Sequence, residues 1–187
     1  MLGPDPAQTP VLTTRHLVLK GLEEADAEAV HGLRSNPAVM RFIPKPLNTH
    51  VEESLRMIQD FRQAARLGRS VMWGITVHGT AQVVGYIGYW RLVNEAHMAE
   101  IGYALHPDLW GQGLMSEALE AVLAFGFGTM RLQTVEAQAT PDNVASIHVL
   151  ERNGFRAVGR AMQQVGGDIG ALEAIIFRLG ATAGNRG

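Results

Sequence analysis

No cysteine occurs among the 187 residues, which excludes disulfide staples, Cys-ligated zinc, iron–sulfur centres and any thiol nucleophile. Lysine is nearly as scarce: Lys20 and Lys45 are the only two, and the rest of the 16 basic residues are arginines scattered from Arg15 to Arg186. No basic run marks a nucleic-acid surface and the formal net charge is only -2, so no direct nucleic-acid binding is expected. Long apolar runs are also missing. The longest, Ala121 to Met130, is interrupted by Gly126 and Gly128 and has about half the length a membrane helix needs. Residues 1–10, MLGPDPAQTP, hold three prolines and lack the charged start and apolar core of a secretory signal. These gaps lead to the expectation of a cytoplasmic protein with no membrane association.

What is present suits a folded domain. Hydrophobic residues make up 47% and charged residues 18%, and a chain of this length is served by one core. Residues 11–180 are expected to form a single domain between loose tails at 1–10 and 181–187. Val11 to Lys20 reads as a first strand. Asp26 precedes a helix ended by Asn36-Pro37, and a second helix runs from Thr49 to Gly68, with Thr49-x-x-Glu52 in the form of a capping box. Val71 to His78, Gln82 to Leu92 and His97 to Leu105 read as an antiparallel meander, whose Trp73, Tyr86, Tyr89 and Trp90 are assigned to packing. Leu114 to Phe127 is the strongest helical pattern. Arg131 to Ala139 is a strand, Asp142 to Asn153 a helix capped by Asp142, and Phe155 to Gln164 and Leu172 to Leu179 are late strands. The order β-α-α-β-β-β-α-β-α-β-β predicts an α+β fold.

Chemistry concentrates in Glu100 to Ser116, a strand that turns into the main helix. Gly111 and Gly113 let the backbone curl so that several N–H groups converge where the helix adds its partial positive charge. That is an anion cradle; the plainer reading is a tight strand-to-helix turn. A nucleoside-triphosphate loop is excluded because Gly113 is followed by Leu114-Met115 and no lysine occurs after Lys45. A dinucleotide fold is disfavoured because the glycines follow antiparallel strands rather than open a parallel array. The histidines show no HxxH or HExxH pairing, so no metal is expected.

The chain resembles the GNAT family of N-acetyltransferases, and within it the RimJ/RimL ribosomal-protein acetyltransferase subgroup. The resemblance rests on Thr14-Arg15-His16-Leu17-Val18-Leu19-Lys20 with Asp26-Ala27, on Ala99-Glu100-Ile101-Gly102-Tyr103 through Pro107 to Trp110-Gly111-Gln112-Gly113, and on Asn143-x-x-Ser146-x-x-x-Leu150-Glu151-x-x-Gly154-Phe155. Two departures from the broad family stand out. Trp110 and Met115 follow the subgroup's variant of the loop, and Leu150 replaces a tyrosine that many members use as acid to the departing thiolate.

The resemblance implies a mixed, mostly antiparallel central sheet flanked by helices, and transfer of the acetyl group of acetyl-CoA to an amine, either a protein N-terminus or a small molecule. It implies that Tyr103, Ala104 and Leu105 offer main-chain groups to the pantetheine arm. Trp110, Gly111, Gln112, Gly113, Leu114, Met115 and Ser116 would bind the pyrophosphate, and Asn143 would hold the arm. Glu100 is the expected general base, directly or through water, with pairing to an arginine or ordering of a loop as its alternative role, and Ser146 the expected donor to the thiolate, with helix capping as the alternative for Asn143 and Ser146. Arg41 and Phe42, in the loop from Met40 to Asn48, are the candidate acceptor contacts. A non-catalytic acyl-CoA-binding module is the rival function, and a homodimer remains open. With no cysteine, an acetyl-cysteine intermediate is impossible and the acetyl group should pass directly within a ternary complex.

Overall fold

Alternating apolar residues build the central strands. In β3 (Val71–Val77), β4 (Gly85–Val93) and β5 (Met98–Leu105), Trp73, Ile75, Ile87, Tyr89, Ala99, Ile101 and Leu105 face one way into the larger core cluster. Met72, Tyr86 and Ala104 face the other way into a second cluster. Both faces are therefore apolar, and each needs a helical cover. The computed structural model describes residues 9–164 and 171–181. Residues 1–8 and 182–187, most of the two expected tails, lie outside the described residues.

The remaining elements are β1 (Leu12–Thr13), β2 (Leu17–Gly21), α1 (Ala27–Arg34), α2 (Pro37–Met40), α3 (Val51–Arg66), α4 (Leu114–Gly128), β6 (Thr134–Ala139), α5 (Val144–Arg152), β7 (Arg156–Gln164) and β8 (Ala171–Gly180). One mixed sheet runs in the order β1-β2-β3-β4-β5-β6-β8-β7, with β5 and β6 parallel and the other neighbours antiparallel. Parallel strands need a crossover, and α4 supplies it. Its Leu114, Met115, Ala118, Leu119, Val122 and Leu123 pack into the larger cluster. Val30 and Leu33 of α1 and Ile58 of α3 close the second face.

The predicted type and order of the long elements hold, and the differences are local. The first strand is a hairpin, because Thr14 N–H donates to Leu17 O at 2.9 Å and the Thr14 hydroxyl receives Leu17 N–H at 3.0 Å, folding the chain back at residues 14–17. Glu24–Asp26 forms a 3-10 turn ahead of α1, with Asp26 accepting from Glu23 N–H at 2.9 Å. The acid that caps α3 is Glu53 rather than Glu52: it receives Thr49 N–H at 2.6 Å and His50 N–H at 2.9 Å, since His50 is the N-cap. Asn143, not Asp142, caps α5. Trp90 departs from the packing role, being 47% exposed where an irregularity in register between Tyr89 and Arg91 turns it out of the core.

Two interactions fasten α4. The fully buried Tyr89 hydroxyl donates to Val122 O at 2.9 Å, and it fits because Gly126 has no side chain: a Cβ there would lie 2.1 Å from that oxygen. Glu117, in the first turns of α4, holds the N-terminal hairpin by accepting from His16 N–H and facing His16 Nδ1, both at 2.7 Å, and by accepting from the Thr14 hydroxyl. Burial alone would raise the Glu117 pKa, but the donors from Thr14 and His16 outweigh it and bring the value to about 2.

Gly126→Ala is expected to cost about 2 kcal/mol or more by overpacking and loss of the tyrosine bond, despite alanine's better helix propensity; urea denaturation measures it. The lowered Glu117 pKa sets a sign for pH dependence. Its stabilisation is complete above the ordinary value of 4.5 and disappears as the pH falls towards about 2. Acid-unfolding curves of Glu117→Gln should therefore lose part of the wild-type decline over that window.

Candidate active site

The sheet opens at one place. The β5/β6 register starts at Met98↔Thr134 and ends at Ile101↔Ala137. Beyond it, Gly102–Leu105 pairs only with β4, and Gln138 and Ala139 only with β8. His106 N–H donates to Val84 O at 2.8 Å, which fixes the antiparallel alternation, so Ala104 exchanges its main-chain bonds with Tyr86 and the main-chain groups of Tyr103 and Leu105 turn to the gap. Leu105 O accepts from the Trp110 indole N–H at 2.7 Å. Of the three predicted backbone contacts, Tyr103 and Leu105 face the opening and Ala104 faces its sheet neighbour.

At the end of β5 the loop turns into α4. Gly111 and Gly113 have φ of 73° and 78°, the left-handed region that glycine adopts freely. A Cβ built on either would meet no atom within 4 Å, so both face open space. The N-cap is Gly113, with no side chain satisfying the first turn. Among the described residues no hydrogen bond is made by the N–H groups from Gly111 to Ser116. Six donors without a partner thus lie in succession at the positive end of a 15-residue helix. Gln112 is tied to Asp108 O at 3.0 Å, and the Ser116 hydroxyl accepts from Asn153 Nδ2 at 2.8 Å. Leu114 and Met115 are buried and Trp110 is half exposed.

The first turn of α5 stands across the gap. Asn143 Oδ1 caps the helix by accepting from Ser146 N–H at 3.2 Å. The Ser146 hydroxyl lies 2.9 Å from the Tyr103 hydroxyl. Desolvation pushes Tyr103 up, the bond to Ser146 opposes it, and the phenol stands at about 12, protonated throughout the neutral range. Leu150 is fully buried in the larger core cluster.

Glu100 occupies the opposite face of β5. It is 7% exposed, receives Gln138 Nε2 at 2.9 Å and has Arg91 at 3.7 Å; Gln163 in turn donates to Gln138. Desolvation raises its pKa, Arg91 lowers it, Glu136 raises it and Gln138 lowers it; the balance is upward. Glu136 itself pairs with Arg178 at 3.1 Å. Arg41 and Phe42 do sit together in the loop after α2, with the Arg41 guanidinium 5.0 Å from the Phe42 ring centre. Among the described residues no group of three metal-ligating side chains gathers.

Sequence reasoning missed the Tyr103 side chain and the glutamine pair behind Glu100. Strict alternation with Ile101 and Leu105 is enough to put Tyr103 on the α4/α5 face. No sequence signal links it to Ser146, 43 residues away.

Residues 16–156 match the family model for an acetyltransferase (GNAT) domain. The chain is 33% identical over 150 residues to the uncharacterized N-acetyltransferase YoaA of Bacillus subtilis, covering 80% of this chain and 85% of that protein. It is 27% identical over 161 residues to the [ribosomal protein uS5]-alanine N-acetyltransferase of Escherichia coli, covering 80% of each. The fold superposes on Mycobacterium smegmatis RimJ in complex with CoA-disulfide with a TM-score of 0.83 at 21% identity, covering 97% of this chain and 90% of that one. A mixed sheet split at its one parallel pair, an uncapped glycine turn beside the split, and these likenesses together place the chain: it belongs to the GNAT family of acetyltransferases and is an N-acetyltransferase.

Proposed function

We propose that the chain carries the acetyl group of acetyl-CoA directly to the primary amine of a protein N-terminus or a small molecule, in one ternary complex, in the cytoplasm. One observation carries this reading: where β5 and β6 part, the buried carboxylate of Glu100, in the last paired stretch of β5, lies on one face of that strand and the Tyr103–Ser146 hydroxyl pair on the other. A base and a hydroxyl donor are thereby set on opposite faces of one strand, next to the point where its edge becomes free. Acetyl-CoA supplies the activated acyl group when bound.

The open turn at Gly111 and Gly113 fits a pyrophosphate, because its N–H groups lack an acceptor among the described residues and no side chain fills the space. The N–H groups from Gly111 to Ser116 would hold it. The gap-facing main chain of Tyr103 and Leu105, with the amide of Asn143 left over from capping, would hold the extended arm. An ammonium has no lone pair, so the acceptor must lose a proton before it can attack, and Glu100 is the base within the sheet. Its raised pKa makes it a better proton acceptor than an exposed carboxylate. Arg91 and Gln138 fix its two oxygens without burying it in a tight ion pair.

On the other face Ser146 is the hydroxyl available to the leaving sulfur, since Leu150 offers no proton. Tyr103 keeps its own proton near neutrality. By bonding Ser146 Oγ it fixes that side chain's rotamer, and when the tyrosine is the donor the serine proton is left for the sulfur.

Incubation with acetyl-CoA and a panel of primary amines should release free CoA thiol, and Glu100→Gln should cut turnover by about 10²–10⁴-fold with CoA affinity unchanged by titration calorimetry. The acidic limb of the wild-type pH–rate profile should lie above the ordinary carboxylate range and be missing in that variant. Tyr103→Phe and Ser146→Ala should each lower kcat with little effect on CoA binding. Because one acts through the other, the double variant should be no worse than Ser146→Ala alone; additive losses would show that the tyrosine acts independently.

A further inference from the structure

The α1 side of the sheet carries polar atoms that the proposed chemistry does not use. Arg34, in the last turn of α1, is 8% exposed. Among the described residues it joins no ion pair, and its Nε is enclosed without a hydrogen-bond partner. One turn earlier on the same helix, His31 Nδ1 is likewise buried and unpartnered. Residues three apart on a helix share a face. The Tyr86 hydroxyl, from β4, stands beside the Arg34 guanidinium.

A guanidinium is always charged and is among the most costly groups to enclose without a counter-charge. Such a cation is retained when an anion arrives from outside. Its position says which one. Tyr86 pairs with Ala104, between Tyr103 and Leu105, whose main-chain groups line the gap, and neighbouring strands lie only about 4.8 Å apart. Glu100 and Ala104 are on the same face of β5, and Ala104 and Tyr86 share the second core cluster with Val30 and Leu33 of α1. An acceptor that gives its proton to Glu100 would approach on this face of the sheet, the same face as the cluster, and would bring any anionic part of itself to that side.

We propose that His31, Arg34 and Tyr86 form a carboxylate-binding subsite, and that the acceptor is an amine carrying a carboxylate, namely a free amino acid or a peptide with an acidic group near its N-terminus. The proposal rests on the acetyltransferase reading and narrows it. A polyamine, which brings only further positive charge, would be repelled by Arg34.

Two experiments on the full chain separate this from the parent reading. In the first, free amino acids, their carboxamides, and tripeptides with Asp or Asn at the second position are offered with acetyl-CoA, and thiol release is followed. The expected result is that a carboxylate form exceeds its neutral partner by about 10- to 100-fold in kcat/KM, and that Arg34→Met removes this ratio while leaving the rate with the neutral partner and the CoA affinity unchanged. Preference for the acid alone would identify the free amino acid, and preference for Asp over Asn the peptide. Equal rates in the wild type, faster turnover of a polyamine, or a ratio that survives Arg34→Met would overturn the subsite.

The second experiment needs no turnover. Removing an uncompensated buried charge should raise the unliganded melting temperature of Arg34→Met by about 2 °C or more. N-acetylglycine, but not N-acetylglycinamide, should raise that of the wild type and not that of the variant. A lower melting temperature for the variant would mean that Arg34 has a structural partner, and equal stabilisation of both proteins would mean an adventitious ion only. Either result rejects the subsite even if thiol release fails.

Discussion

A parallel strand pair inside an otherwise antiparallel sheet cannot be joined by a hairpin, and the site follows from that constraint. The helix that makes the crossover has to begin at the end of β5 and lie against the same face as β5 and β6. Its uncapped N-terminus therefore comes to rest beside the place where the two strands part. The split leaves main-chain groups of Tyr103 and Leu105 without a strand partner, and buried backbone groups require one. One topological fact thus yields an extended slot with hydrogen-bonding walls and a positive pole at its mouth, the two features a long phosphorylated thioester needs.

On the proposed mechanism the chemistry is divided between the faces of one strand. Alternation along β5 sends Glu100 to the α1/α3 side and Tyr103 to the α4/α5 side. Burial acts on both in the same direction, raising the carboxylate's proton affinity and the phenol's, with opposite uses. A carboxylate that binds protons more readily is a better base, and a phenol that stays protonated keeps a hydroxyl for its bond with Ser146. The hydrogen-bonded pairs behind each group, Gln138 and Gln163 behind Glu100 and Tyr103 behind Ser146, hold these side chains at the mouth of the gap.

The α1 side has a different electrostatic character from the glycine turn. There the positive charge comes from a side chain that folding has enclosed rather than from helix amides at the surface. The sequence pI of about 6.4 suggests a mild pull on cationic acceptors, whereas Arg34 pulls on anionic ones. Over a few ångströms a single desolvated guanidinium outweighs a net charge of -2 spread over the whole surface.

The strands, the main helices, the glycine turn and the motifs that mark the family were legible in the sequence because each depends on neighbours close in the chain. Period-two and period-3.6 patterns, Gly111 and Gly113 before an apolar helix, and polar residues at helix starts are all local. Cap positions slipped by one residue, Asp142 to Asn143 and Glu52 to Glu53, since adjacent polar residues compete for the same amides and only the approach of the helix to its core decides between them. The lack of cysteine likewise settled from sequence alone that no thioester forms on the protein. Tertiary structure alone decided which side chains meet: Tyr103 with Ser146 across 43 residues, Glu100 with Gln138 across 38, and Glu117 with the N-terminal hairpin across 101. It also decided that Arg34 is enclosed with no ion-pair partner among the described residues. Such contacts depend on where the chain returns after a crossover, and that is fixed by packing both faces of the sheet at once rather than by any local pattern.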